Sequence, residues 1–248
     1  MNLLLVDADE LDGDRVVLRD RRATHLRTVI GAVVGATVRA GIVGGPLGTA
    51  EVLADDGTAI TLRLATPDPP SEPMPVELLL AIPRPKVLSR ALEIAASFAV
   101  ARITLTNAWR VDKSYLTTPR LEPAALAEAA RLGAEQGGTT HVAPIAVHKR
   151  LMPLLDERFP AASARDRAAR ASLKLIAHPD APPIESAMRG GPITLAIGAE
   201  GGWIQREVDT FVERGFRPVS LGQPVLRVEA AIAAALGQLA LLARVRER

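Results

Sequence analysis

Residues 192–203 read "PITLAIGAEGGW", an apolar run that stops at Gly198 and is followed by one carboxylate, Glu200, between glycines. A short apolar run bounded by glycines and followed by a helix-like stretch at 205–215 is typical of a buried strand in a parallel sheet. Glycines at a strand end allow a tight turn with positive φ, and they also allow the backbone to approach a ligand closely. The stretch itself leaves both interpretations of the loop open.

The same alternation of strand and helix patterns extends over most of the chain. Apolar strand candidates lie at 75–82, 102–108, 173–178, 193–198 and 218–222, and helical patterns lie at 87–100, 121–136, 205–215 and 228–248. The pattern over 87–100 places Leu88, Leu92, Ala95 and Ala99 on one helical face, and the last helix carries Ile232, Leu236 and Leu239 at i, i+4 and i+7. This alternation predicts an α/β domain with a mostly parallel sheet.

A different pattern precedes it. Residues 1–68 hold short β-like pieces, broken by glycine turns and by one helical stretch at 21–31, which predicts a small β-barrel. Residues 67–75, "PDPPSEPMP", are rich in proline and predict an extended, stiff spacer. We therefore expect a β-barrel domain at 1–68, a linker at 69–75 and an α/β domain at 76–248.

Composition limits the classes of function. The 248 residues contain no cysteine, which excludes disulfides, thiolate metal sites and a cysteine nucleophile. No metal is expected, because the four histidines lack metal-ligand spacing, and no phosphate-binding or nucleophile-elbow motif is present. The N-terminus lacks a signal-peptide pattern, and no run approaches roughly 18 apolar residues. We expect a soluble cytoplasmic protein without a membrane partner, whose net charge of +2 permits nucleic acid.

Three strand ends carry unusual residues. They are "LIAHPDAPP" (175–183), "IGAEGGW" (197–203) and "LGQPVLRVEAA" (221–231). In open α/β sheets, ligands bind beyond the carboxyl ends of the strands. Each loop also has a purely structural interpretation, with His178 as a cap, the glycine pair as a turn, and Arg227 and Glu229 as the start of a helix. Their coincidence at successive strand ends favours a ligand site.

Two of these loops resemble the signature sequences of a known family. "IGAEGGW" resembles the I-G-P-E-G-G-F signature of the bacterial RsmE family, and 220–236, "SLGQPVLRVEAAIAAAL", resembles its S-L-G-x-x-I-L-R-T-E-T-A-x-x-x-A-L. Weaker likenesses follow in the family's order at 24–38, 129–138 and 175–179. RsmE proteins are SPOUT-class methyltransferases of uridine N3 in small-subunit ribosomal RNA. The resemblance implies a C-terminal SPOUT domain with a trefoil knot, an N-terminal PUA-like RNA-binding β-barrel and a homodimer.

The resemblance also implies the cofactor, S-adenosylmethionine (SAM), in a cleft built from the three loops. Leu175, Ile197, Leu221 and Leu226 would flank the adenine. The full set of implied cofactor-binding residues is Leu175, His178, Pro179, Ile197, Gly198, Glu200, Gly201, Gly202, Leu221, Gly222, Val225 and Leu226.

Arg227 and Glu229 would be the catalytic residues. Arg227 would stabilise the anion that develops on the uridine, and Glu229 would act as the base. Glu200 is an alternative base, or it holds the loop by hydrogen bonds. Candidate RNA-binding residues are Arg21, Arg22, Arg27, Arg84, Lys86 and Arg110.

The chain departs from the family pattern at several positions. Ala199 replaces the family's proline, Val228 and Ala230 replace two threonines, and Gly31 and Thr139 stand where the family has arginines. These changes leave a second hypothesis open: a diverged member that binds SAM and RNA but methylates another RNA, or acts without catalysis. A third, an α/β enzyme whose glycine loop takes a phosphate, is disfavoured because the carboxylate of Glu200 would repel phosphate.

Overall fold

The computed structural model describes residues 2–160, 172–187 and 190–246. Its first sheet contains β1 (Leu4–Val6), β2 (Arg15–Leu18), β3 (Thr37–Ile42), β4 (Leu47–Asp55) and β5 (Ile60–Asp68), in the order β1-β3-β4-β5-β2. The pair β1–β3 is parallel and the other neighbours are antiparallel. The sheet is curled into a half-barrel. Along β2, exposed and buried residues alternate, as expected for a strand with one face on the core.

A helix interrupts these strands where the sequence predicts it. Helix α1 (Arg21–His25) begins after Asp20, whose carboxylate accepts a hydrogen bond from the Arg22 backbone N–H. The helix continues as a π-helical turn over Leu26–Ile30 and ends at Gly31, which has φ of 67°. A left-handed glycine is a common helix terminator because it has no Cβ to clash. The predicted helix at 21–31 is confirmed.

The second sheet is entirely parallel. It contains β6 (Met74–Ala81), β7 (Val100–Thr106), β8 (Ile145–His148), β9 (Leu173–Ala177), β10 (Ile193–Ile197) and β11 (Arg217–Val219), in the order β11-β9-β10-β6-β7-β8. Each neighbouring pair runs in the same direction. All five residues of β10 are buried, because helices cover both faces of such a sheet. The predicted α/β, SPOUT-like domain is confirmed, and the threading of its chain into a knot stays a prediction.

The helices around this sheet are α2 (Pro85–Ser97), α3 (Pro123–Gly137), α4 (Leu151–Arg158), α5 (Gln205–Glu213) and α6 (Val228–Arg246). Short 3-10 turns lie at Ala8–Glu10, Lys113–Thr117, Pro119–Leu121 and Ile184–Ala187. Leu88, Leu92 and Ala95 are buried on α2 as predicted. Ala99 was wrongly placed on that face, since it has φ of 55° and lies in the turn between α2 and β7. Neither β8 nor α4 was predicted.

Helix α6 packs its predicted face into the core, where Ile232, Leu236 and Leu239 are at most 1% exposed. By length and composition alone, this helix is also apolar enough to cross a membrane, contrary to the expectation that no segment is. Core helices of soluble proteins pass the same test, and one face of α6 packs into the core through these three residues, while 28% of its apolar window is buried.

A buried carboxylate on α3 connects the helix of the first-sheet region, α1, to the helices of the second sheet. Glu135 of α3 is 1% exposed and accepts hydrogen bonds of 2.9 and 3.1 Å from Arg21. On the same helix, Arg131 donates to Asp7 and to the Leu5 carbonyl, both in the first sheet region. The first sheet is therefore clamped to α3.

The segment between the sheets is also held in place. Ser71 and Thr140 exchange two hydrogen bonds of 3.0 Å, and β6 begins at Met74, within the predicted linker. This proline-rich segment is a fixed connection, and the domain boundaries at 68 and 76 stay a prediction.

A half-buried ion pair between Glu77 of the second sheet and Arg158 of α4 makes stability depend on pH. Burial alone would raise the pKa of Glu77, but hydrogen bonds from Arg158 and Thr104 outweigh it and hold the pKa below its ordinary 4.5. The resulting stabilisation is complete above that value and disappears as pH falls through the lower pKa of the folded state. We expect Glu77→Gln to cost roughly 2–3 kcal/mol at pH 7 and the difference from wild type to shrink towards pH 3.

Urea unfolding at several pH values measures this difference. Glu51→Gln is the matched control. Glu51 forms an ion pair with Arg63 in which both side chains are exposed, and such pairs contribute about 0–1 kcal/mol to the free energy of unfolding. A Glu77→Gln deficit that stays constant from pH 7 to pH 3 would contradict the interpretation.

Candidate functional site

A cavity of about 290 Å³ opens at the carboxyl ends of β9, β10 and β11. This volume lies near the lower end of small-molecule sites, which span about 300–1,000 Å³. The cavity is bounded by the three loops that follow these strands and by the start of α6. Its lining residues are Arg110, Ala177, His178, Pro179, Asp180, Ile197, Gly198, Ala199, Glu200, Gly201, Gly202, Trp203, Leu221, Gly222, Pro224, Val225, Leu226, Val228 and Ala231.

Backbone hydrogen bonds tie the first and third loops together. Ser220 donates to the Pro182 carbonyl at 2.8 Å, and Ile184 donates to the Ser220 carbonyl at 3.1 Å. On α6, the Gln238 side-chain amide donates to the Leu221 carbonyl at 2.9 Å. Two sides of the cavity are thus fixed to each other and to a core helix, which preorganises the site for a ligand.

The glycine loop after β10 leaves no room for side chains at two positions. A Cβ on Gly198 would lie 3.0 Å from the Cα of Gly202, and a Cβ on Gly201 would lie 2.9 Å from the Cβ of Arg110. Gly202 has φ of 65°, a left-handed conformation that favours glycine. The glycines therefore serve both for a turn and for close approach.

The carboxylate of Glu200 ties this loop to the neighbouring helix. Its Oε1 accepts a hydrogen bond of 3.0 Å from the backbone N–H of Arg84, the residue before α2. This contact supports the interpretation in which Glu200 holds the loop.

A second carboxylate, which sequence reasoning missed, anchors two loops at once. Glu207 is 5% exposed. Its Oε2 accepts a hydrogen bond from the backbone N–H of Ile204 at 3.0 Å, and its Oε1 accepts one from the backbone N–H of Trp109 at 2.8 Å. It therefore satisfies a free N–H at the start of α5 and fixes the loop that follows β7. Trp109 is 98 residues away in sequence, so no local pattern could have shown the bond.

We expect Glu207→Ala to destabilise the protein by about 2–4 kcal/mol, because it leaves buried N–H donors unpaired. Thermal or urea unfolding checks this value. Asp209→Ala on the exposed face of α5 is the control, with an expected change within about 0.5 kcal/mol. A Glu207→Ala variant as stable as this control would show that neither bond matters.

The lining combines apolar side chains with polar backbone. Ile197, Leu226 and Val228 supply apolar surface, and the glycine loop supplies exposed backbone groups. Trp203 lines the cavity, and its indole N–H is buried without a hydrogen-bond partner in the part of the chain that the structure describes. Unpaired buried donors of this kind are rare in folded proteins.

Most residues of the predicted cofactor set come together here. All of them except Leu175 line the cavity. Leu175 is fully buried in the core beneath it, and Ala177, two residues later on the same face of β9, takes the predicted place. Further lining residues that the sequence reasoning missed are Asp180, Ala199, Trp203, Pro224, Val228 and Ala231.

Neither of the two predicted catalytic residues is among the residues that line the cavity. Arg227 is exposed and stands between two lining residues, Leu226 and Val228. Glu229 is half-buried in the first turn of α6.

The predicted RNA-binding residues fall into two groups. The prediction that Arg22 binds RNA is wrong. Arg22 is 5% exposed, and its guanidinium donates to Asp20, Glu10 and the Leu5 carbonyl, which leaves no N–H free for RNA. Arg21 and Arg27 are held by carboxylates, Arg21 by Glu128 and Glu135 and Arg27 by Asp55.

The other group lies beside the cavity. Arg84, Lys86 and Arg110 are exposed, and the Arg110 guanidinium donates to the Gly201 carbonyl at 2.6 Å. Within the described ranges, no cluster of three His, Asp or Glu side chains could hold a metal ion.

Comparisons with known proteins agree with this geometry. The family model of the RNA methyltransferase domain matches residues 70–240. Ribosomal RNA small subunit methyltransferase E of Treponema pallidum is 28% identical over 239 residues, which cover 95% of this chain and 89% of that protein.

Solved structures share the whole fold. The Neisseria gonorrhoeae ribosomal RNA small subunit methyltransferase E bound to S-adenosyl methionine has a TM-score of 0.75 at 22% identity, over 98% of both chains. A Legionella pneumophila protein classed as a methyltransferase, in complex with SAM, has a TM-score of 0.74 at 22% identity, over 96% of both chains.

Proposed function

The chain belongs to the RNA methyltransferase family whose domain model matches residues 70–240, and on that premise we propose that it is an RsmE-type, SAM-dependent methyltransferase of uridine N3 in small-subunit ribosomal RNA. The observation that carries the proposal is the cavity, which is built from the three loops that bear the family's motifs. It lies where open parallel sheets bind ligands.

The cavity residues fit SAM. Gly198 and Gly201 leave the loop backbone bare, so its N–H and C=O groups can reach an adenine and ribose. Ile197, Leu221 and Leu226 offer apolar contacts for a flat base. When bound, SAM supplies an electrophilic methyl group on a sulfonium.

We assign charge stabilisation to Arg227. Uracil N3 becomes nucleophilic when its proton leaves, and negative charge then spreads over the two carbonyl oxygens that flank it. A guanidinium presents several N–H donors in a fixed plane, which suits an anion with adjacent oxygens. Arg227 is exposed and lies in sequence between two lining residues, Leu226 and Val228, so an incoming nucleotide can reach it.

We assign proton removal to Glu229 rather than Glu200. Glu200 already accepts the Arg84 N–H, which supports a structural role. Glu229 lies two residues after Arg227 in the first turn of α6. A carboxylate that reaches the reacting base is suited to act as a general base.

The partner is ribosomal RNA, and we propose that Arg84, Lys86 and Arg110 contact its phosphates at the cavity mouth. We further propose a homodimer and a cytoplasmic location. Leu241 and Val245 of α6 are 51% and 60% exposed, and this apolar surface supports the dimer. The absence of cysteine fits a reducing compartment.

The decisive experiment combines binding and transfer. Calorimetry with SAM measures cofactor binding, and incubation with tritiated SAM and small-subunit particles lacking the modification labels the target base, which is then mapped. Label at N3 of one uridine is the expected result. Binding without label at N3 would favour the second hypothesis, a diverged SAM- and RNA-binding protein, and failure to bind SAM would refute an enzyme of this class.

A further inference from the structure

An exposed tryptophan stands beside the cavity. Trp109 is 79% exposed in a chain with only two tryptophans, whereas the other, Trp203, is 5% exposed. Large aromatic side chains bury most of their surface on folding, so such exposure needs an explanation. None of the assigned steps uses Trp109.

The tryptophan is held on a rigid turn. Val111 donates to the Ala108 carbonyl at 3.0 Å, which places Trp109 and Arg110 at the tip, and the two flanking residues are buried. The backbone N–H of Trp109 donates a hydrogen bond to the buried carboxylate of Glu207. The indole is thus presented to solvent by a braced backbone, which lowers the entropy cost of using it for binding.

Its surroundings are basic and border the cavity. The next residue, Arg110, lines the cavity and is bonded to the Gly201 carbonyl. The adjacent loop residue, Glu200, accepts the N–H of Arg84, whose own side chain is exposed. An exposed aromatic ring next to an arginine at the edge of a cavity is a combination that proteins use to bind unpaired nucleotides.

We propose that Trp109 is a stacking site for an unpaired base of the RNA substrate. The proposal rests on the proposed function, in which uridine must leave its stack before N3 is accessible. The indole face supplies a new stacking partner for a base that is splayed out at the cavity mouth, and Arg110 and Arg84 accompany the phosphates on either side.

The test measures RNA binding without requiring turnover. Anisotropy of an end-labelled, single-stranded oligouridylate is titrated with wild-type protein, Trp109→Ala, Trp109→Phe and Val212→Ala. Val212 is 42% exposed at the far end of α5, so its replacement removes exposed apolar surface elsewhere. We expect Trp109→Ala to weaken binding by about 10-fold or more and Trp109→Phe to keep most of the affinity.

Two further measurements distinguish the outcomes. Calorimetry should give the same SAM affinity in all four proteins, and sedimentation should give the same oligomeric state. Unchanged oligouridylate binding by Trp109→Ala would overturn the stacking site, as would a shift in its oligomeric state, which would identify Trp109 as a subunit contact. Trp109-dependent binding in a protein that transfers no methyl group would instead refute the proposed function and leave the stacking site intact.

Discussion

Replacing Arg227 by alanine is expected to lower the rate of methyl transfer by about 10²–10³-fold, the usual cost of removing one donor to a developing oxyanion. SAM affinity should stay within about twofold, because an interaction made only in the transition state affects turnover and not ground-state binding. The structure supports this separation, since Arg227 is exposed and does not line the cavity, while its neighbours Leu226 and Val228 do. Single-turnover transfer from tritiated SAM, with calorimetry in parallel, measures both quantities.

The matched control is Arg244→Ala, which removes an exposed arginine from the last turn of α6, at the opposite end from Arg227. Its transfer rate should equal that of wild type, because any general loss of charge is common to both variants. Arg227→Lys should recover only part of the rate, since an ammonium lacks the planar set of donors. Full activity of Arg227→Ala would remove this residue from the chemistry and direct attention to Arg84 and Arg110.

The parallel sheet could be predicted because its strands are short, fully apolar runs separated by helical patterns. The run at β10 is buried at all five positions, and a two-sided sheet is the arrangement that accommodates it. Strand β8 lacks such a run: all four of its residues are half-buried, at the edge of the sheet, so its sequence carries little periodic signal. The short α4 was missed although its buried Leu151, Leu154 and Leu155 lie at helical spacing.

The candidate site was predictable where glycine and proline mark strand ends. It was less predictable where tertiary contacts decide which residues line the cavity and which are buried. The choice between Leu175 and Ala177 depends on where β9 stops, which sequence reasoning fixes only to within a few residues. In the sequence, Arg22 cannot be distinguished from a surface arginine. Only the fold shows that it forms ion pairs with Glu10 and Asp20.

Contacts between distant residues were invisible in the sequence. Glu207 reaches the loop of Trp109, and Arg21 reaches Glu135 across 114 residues. Each of these carboxylates is buried, and burial of a charge is stable only when partners from other elements complete its hydrogen bonds. Their roles therefore depend on the packing of the whole molecule.

Adding one methyl group at Gly198 should close part of the cofactor cavity. In Gly198→Ala the new Cβ would lie 3.0–3.2 Å from the backbone of Gly202 and Trp203, which cannot move aside as a flexible side chain would. The glycine loop must shift, and overpacking of this kind costs about 1–3 kcal/mol, so the dissociation constant for SAM should rise by about 5- to 150-fold. Calorimetry measures the affinity, and transfer at saturating SAM should recover more fully than transfer at low SAM.

Gly237→Ala provides the control, because a Cβ at this position of α6 meets no atom within 4 Å. Alanine in a helix interior stabilises by about 0.5–1 kcal/mol relative to glycine, so this variant should unfold at higher urea and bind SAM as wild type does. If Gly198→Ala bound SAM with wild-type affinity, the close packing of Gly198 against Gly202 and Trp203 would serve the turn alone. The ligand would then have to be held by the loops after β9 and β11, with the glycine loop as a scaffold behind them.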